Sequence, residues 1–153
     1  MKIIDVLKKE SIFSNLNSQN KPDLLRELSE LLTSYYPNID TDTLFDVLLQ
    51  REKLCSTAVD SGVAIPHCKM SGLSDIIAAF GRSKDGIDFE SLDGNPTHLF
   101  ILLLAPENAA GSHLKLLARI SNIFKSHQFR KKLIDAQNRD EIYDLIKGED
   151  EKD

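Results

Sequence analysis

Leu99 to Ala105 reads Leu-Phe-Ile-Leu-Leu-Leu-Ala, with no polar residue anywhere in the run. A strand with one wet face alternates apolar and polar side chains, so an unbroken run needs cover on both faces. The run is also far below the roughly 20 residues that cross a bilayer. It therefore predicts a central strand, buried between two layers. Two further short apolar runs, Val63 to Pro66 and Ile76 to Gly81, are bounded by Gly, Pro, Asp or Asn and read as companion strands. "DGID" and "LDGNP" read as turns.

The covering layers must come from the flanks, where the apolar period changes to that of a helix. Leu24, Leu25, Leu28, Leu31 and Leu32 predict a helix over Pro22 to Tyr35, with Pro22 in its first turn and Pro37 ending it. Leu44, Phe45, Leu48 and Leu49 form the stripe of a second helix, capped by Asp40 or Thr41 and running to about Leu54. After Gly111, a stripe from Leu114 to Phe124 predicts a third helix with Ser112 as its cap. Phe129, Leu133 and Ile134 suggest a short fourth. Asn138 and Glu141 resemble a capping box ahead of Ile142, Leu145 and Ile146. The segment Ser11 to Leu16 reads as a short edge strand. The expectation is a single α/β domain over residues 1–147, a mixed β-sheet sandwiched between helical layers, followed by a frayed acidic tail over 148–153.

Charge narrows the function. A formal net charge of −5 disfavours a nucleic-acid partner, which needs clustered Lys and Arg. The one basic cluster, Arg130-Lys131-Lys132, falls on a predicted helix and reads as a solvated face. The amino terminus "MKIIDVLKKESIF" lacks the apolar core of a secretory signal, and no run is long enough for membrane insertion. Cys55 and Cys68 make no metal-spaced pair and imply no disulfide scaffold, so a reducing cytoplasm is the default setting. No Walker loop, dinucleotide fingerprint or nucleophile elbow occurs.

That leaves the histidines. His67 in "GVAIPHCK" follows Pro66, which fixes φ, and Val63-Ala64-Ile65, which anchors the chain in the core. A side chain placed directly after an anchored strand is held at the sheet edge, where α/β proteins commonly bind ligands. A neutral imidazole there can attack phosphorus. Local context supports a structural turn histidine equally well. His67, Cys68 and His113 meeting around a metal, as in a hydrolase, is a third possibility, although no local zinc spacing supports it.

"REKLCSTAVDSGVAIPHCK", Arg51 to Lys69, resembles the phosphorylation segment of the fructose–mannitol-type enzyme IIA proteins of the bacterial phosphoenolpyruvate-dependent phosphotransferase system. Their pattern has an Arg-Glu pair, then Ser-Thr, then a glycine-rich turn leading into Gly-Ile/Val-Ala-Ile-Pro-His-Gly-Lys, whose final lysine falls at Lys69. "SHLKLLARIS" from Ser112 resembles the family's second histidine and its helix. The similarity runs from the leucine-rich helix to Ile146. It implies that His67 accepts and donates a phosphoryl group, that His113 sits beside it, and that Arg51 stabilises the phosphate. Ser56 and Thr57 would add phosphate-binding donors. No metal or organic cofactor would be needed, because the phosphate arrives activated on nitrogen. The implied partners are a phosphorylated HPr-like carrier, then either regulatory targets or a IIB component. Similarity to the nitrogen-regulatory subgroup favours regulation over sugar uptake.

Three positions depart from the family pattern. Ala58 and Asp60 stand where glycines are usual, and a carboxylate at Asp60 would repel phosphate if turned inward. Cys68 replaces the glycine after the histidine and reads as a small buried residue. Ala58 and Asp60 also keep open a binding module that retains the fold without the transfer.

Overall fold

A computed structural model describes residues 1–59, 61–109 and 111–152. Asp60, with its expected repulsion of phosphate, lies outside the described residues. A single 3-10 turn, Ile3–Asp5, leads into β1 (Leu7–Phe13), α1 (Lys21–Tyr35) and α2 (Thr41–Leu54). Then follow β2 (Ala58–Val59), β3 (Val63–Ala64), β4 (His67–Met70), β5 (Ile77–Ile87) and β6 (Thr97–Pro106). Three helices close the chain: α3 (Ser112–Ile123), α4 (His127–Asp135) and α5 (Arg139–Asp150).

The apolar run forms β6, the middle of a six-stranded mixed sheet in the order β1-β5-β6-β3-β2, with β4 also paired to β6. β5 runs antiparallel to β6, whereas β3 and β4 run parallel to it. Alternation along β6 sends Leu99, Ile101 and Leu103 into one core with side chains of α3, α4 and α5. Phe100, Leu102 and Leu104 enter the other core, with α1 and α2. Two helical layers therefore cover the sheet, as the unbroken run requires. β1 is an edge strand, although it starts at Leu7 rather than Ser11.

Several details differ from the sequence reading, each for a local reason. "DGID" does not form a turn that ends the strand. It is an irregularity in which Gly86, at φ +87°, lets β5 continue to Ile87. Ser112 does not cap α3; the N-cap is Gly111 in the left-handed region, and no side chain caps the helix. Asn138 caps α5 by accepting from the Glu141 N–H, but Glu141 reaches the Gln137 N–H, one residue beyond the box position. Where the sequence predicts a frayed tail from Gly148, α5 continues to Asp150, which is buried with partners. Its Oδ2 accepts from the Ile4 N–H at 3.1 Å, and its Oδ1 pairs with Arg119 Nε at 2.6 Å.

A guanidinium buried in the sheet fixes one further helix. Arg82 donates to Ser14 O at 3.0 Å, Leu133 O at 3.1 Å and Ala136 O, so it satisfies carbonyls at the end of α4. Burial pulls its pKa below the usual guanidinium value. Among the described residues no helix is long and apolar enough to cross a membrane.

Candidate functional site

The expected strand through Pro66 is broken in two. β3 ends at Ala64, and His67 is the first residue of β4 rather than a residue beyond a strand end. Pro66 causes the break, since it has no N–H for a ladder, while its carbonyl still accepts from Leu103 N at 3.0 Å. Among the described residues β4 pairs only with β6, in the register His67 to Leu103 and Lys69 to Ala105. Its two-residue period turns Cys68 and Met70 into the core beneath α1 and α2. His67 and Lys69 share the opposite face. Burial pushes the Cys68 thiol up to about 12, so it is an inert filler there.

The His67 ring is oriented by its own backbone. Nδ1 lies 2.8 Å from Ile65 O, and a carbonyl can only accept, so Nδ1 carries the proton. The neutral ring then has its lone pair on Nε2. The acceptor is itself fixed, because the Ile65 N–H donates to Thr57 O at 3.1 Å. Thr57 in turn gives its N–H to Glu52 Oε1 at 3.0 Å and its hydroxyl to Glu52 Oε2. Glu52 is buried and pairs with Lys21 Nζ at 3.2 Å, and that ammonium lies 4.8 Å from the centre of the Phe89 ring. A buried ion pair thus holds, through Thr57 and Ile65, the imidazole at the sheet edge.

Because β4 is open on one side, both helical layers can reach it. Arg51, in the last turn of α2, donates from Nη1 to Cys55 O at 2.9 Å and so closes the helix end. His113 comes from the first turn of α3, on the other side. A cavity of about 220 Å³ is lined by Arg51, His67, Lys69 and His113 over a floor of Leu103 and Ala105, with Cys68 alongside. His113 Nδ1 is buried without a hydrogen-bond partner among the described residues. An N–H there would be unsatisfied, so the neutral ring keeps its proton on Nε2, as a donor for a ligand. Burial first, then repulsion from the Lys69 ammonium and from the His67 ring whenever that ring takes a second proton, hold the His113 pKa below the usual imidazole value.

The structure thus brings together Arg51, His67 and His113. It does not bring in Ser56 or Thr57. Ser56 Oγ accepts from the Ala58 N–H at 3.1 Å in a local turn, and both Thr57 donors are committed to Glu52. His98 Nδ1 lies 3.0 Å from Ser83 O, and His127 opens α4; neither lines the cavity. Among the described residues no group of three His, Cys, Asp or Glu is placed to hold a metal ion, since alternation parts the Cys68 side chain from His67. Two residues fall within the resembling segment yet receive no role from the sequence, and both carry a signal. Glu52 falls four residues after Leu48 on the buried stripe of α2, where a carboxylate demands a partner. Lys69 is two residues from His67, hence on its face.

Residues 5–149 match the family model for the phosphoenolpyruvate-dependent sugar phosphotransferase system, EIIA 2. A nitrogen regulatory protein of Bradyrhizobium diazoefficiens is 42% identical over 146 residues, covering 95% of each chain. The fructose-specific EIIABC component of Bacillus subtilis is 38% identical over 98% of this chain, which spans only 24% of that protein's length. The crystal structure of nitrogen regulatory protein IIA-Ntr from Neisseria meningitidis superimposes with a TM-score of 0.85 at 31% identity, covering 93% of this chain and 97% of that one. IIA mannitol from Escherichia coli shares the fold, with a TM-score of 0.75 at 20% identity over 91% of this chain and 97% of that one. The chain belongs to the EIIA 2 family of the phosphoenolpyruvate-dependent sugar phosphotransferase system.

Proposed function

We propose that the chain is a phosphocarrier in which His67 Nε2 takes a phosphoryl group from the phosphohistidine of an HPr-like carrier protein and later passes it on. In the acceptance step the Nε2 lone pair forms the new N–P bond. The donor's N–P bond breaks, and its electron pair returns to the donor imidazole. No proton need leave Nε2, because Nδ1 carries it and stays bonded to Ile65 O. Such transfers pass through a loose transition state, so holding the group in line and spreading its charge supply most of the acceleration. The Arg51 fork can present parallel N–H donors to the phosphoryl oxygens, and the N–H of His113 Nε2 can add another. Thr57 then serves His67 by position rather than touching phosphate.

One observation carries this reading: a guanidinium and two imidazoles from α2, β4 and α3 line a single small cavity at an open sheet edge. Incubation with enzyme I, the carrier and labelled phosphoenolpyruvate tests it. The wild type takes up label and His67→Ala does not; an unlabelled wild type or a labelled His67→Ala refutes it.

The output we favour is regulatory, with the phosphorylated and free forms binding cytoplasmic targets differently. The 42% identity with a nitrogen regulatory protein of matching length supports it. A transport role, with phosphate passed to a separate IIB component, is favoured by the 38% identity with a fructose-specific EIIABC component. Phosphate transfer to a fructose-type IIB in a reconstituted assay would select transport.

A further inference from the structure

We propose that Lys69 is the second fixed positive charge of the phosphoryl site, matching with Arg51 the two negative charges of a phosphoryl group on His67. The inference rests on the phosphocarrier reading and assigns a residue that the reading does not use.

Three observations carry it. Lys69 lies two residues along β4 from His67, on the same face, and lines the same cavity. Among the described residues no carboxylate lies within 4.0 Å of its ammonium, so no ion pair draws it away from the cavity. Among the described residues the cavity lining contains no carboxylate, so none of them serves Arg51 or Lys69 as a counter-ion there. A phosphoryl group near neutral pH carries close to two negative charges and would neutralise both.

The same charge acts before the phosphate arrives. Around His113 stand Arg51 from α2 and His67 and Lys69 from β4, while β6 contributes only Leu103 and Ala105. Burial first, and after it the like charge of Lys69, lower the His113 pKa and so disfavour a second proton on that ring. Arrival of the phosphoryl dianion reverses the local field and favours a second proton on His113. Lys69 therefore couples occupancy of the site to the charge of His113.

Lys69→Met and Lys69→Arg test this, read by two measurements on the full chain. Lys69 is exposed, so neither change should disturb the core. The first is the rate of phosphorylation by phosphoramidate, a small donor that needs no protein docking. Lys69→Met should be about tenfold slower and Lys69→Arg within about threefold of wild type. The second is the titration of His113 in the unphosphorylated protein, followed by NMR. It should move to higher pH in Lys69→Met and stay in place in Lys69→Arg. A wild-type phosphoramidate rate in Lys69→Met overturns the proposal, because Lys69 would then serve docking or solvation only. An unmoved His113 titration overturns it as well. Failure of the phosphocarrier reading looks different: His67→Ala would keep the label while the His113 titration still responded to Lys69.

Discussion

Neutralising Glu52 should loosen the whole support of His67, and the structure sets the size of the effect. In Glu52→Gln the Lys21 ammonium, whose side chain is only 8% exposed, loses its carboxylate and keeps the face of Phe89. Removing one member of a buried pair costs about 3–5 kcal/mol, because the other charge is left uncompensated. The amide oxygen that replaces the carboxylate can still accept from Thr57, so a loss near the lower limit, about 3 kcal/mol, is expected. For a chain of this length that corresponds to a fall in Tm of about 6–12 °C. Urea unfolding followed by circular dichroism measures it, alongside Lys21→Met and the double variant. The double variant should be more stable than the sum of the singles predicts, by at least about 1 kcal/mol. Because Thr57 holds Ile65 and Ile65 holds His67 Nδ1, phosphoryl acceptance should also fall in conditions where Glu52→Gln is fully folded. A stability loss below about 1 kcal/mol, typical of an exposed pair, or strictly additive variants, would refute the reasoning.

Three other outcomes follow from the geometry. Burial holds Cys68 at about 12, so alkylation of the native protein at pH 8 should modify the exposed Cys55 and spare Cys68, as mass spectrometry will show. His113 has a folded-state pKa below its ordinary value of 6.5, so the unfolded chain binds its proton first as the pH falls. Stability contributed by the neutral ring is thus present above pH 6.5 and lost as the pH drops through the folded-state value. His113→Gln should flatten that slope in urea titrations, and an unchanged slope would count against the assignment. Truncation after Lys147 removes the Asp150 contacts to Ile4 and Arg119 and should cost about 2 kcal/mol in the same assay.

Patterns that repeat were legible in the sequence, and single partners were not. The unbroken run at Leu99 required two covering layers, and the leucine stripes supplied them, because burial of apolar surface imposes a period. Helix ends capped by Asp40 and Asn138 were equally readable. The break at Pro66 was visible as a proline, yet its consequence, a new strand beginning at His67, depends on pairing with distant Leu103. Ser56 and Thr57 illustrate the same limit at the site. Their hydroxyls suggested phosphate donors, but Glu52, brought close by the end of α2, takes both donors of Thr57. Asp150 looked like part of a solvated tail because its partners, Ile4 and Arg119, are 146 and 31 residues away. Arg51, His67 and His113 could be grouped only through a family resemblance, since no spacing within one chain says that three elements meet.

The orientation of one imidazole underlies the proposed chemistry, and multinuclear NMR of the phosphorylated protein reads it directly. Phosphorus should be bonded to Nε2 of His67, with Nδ1 still carrying its proton toward Ile65 O. Phosphorus on Nδ1 of that ring, or on His113 in its place, would contradict the account.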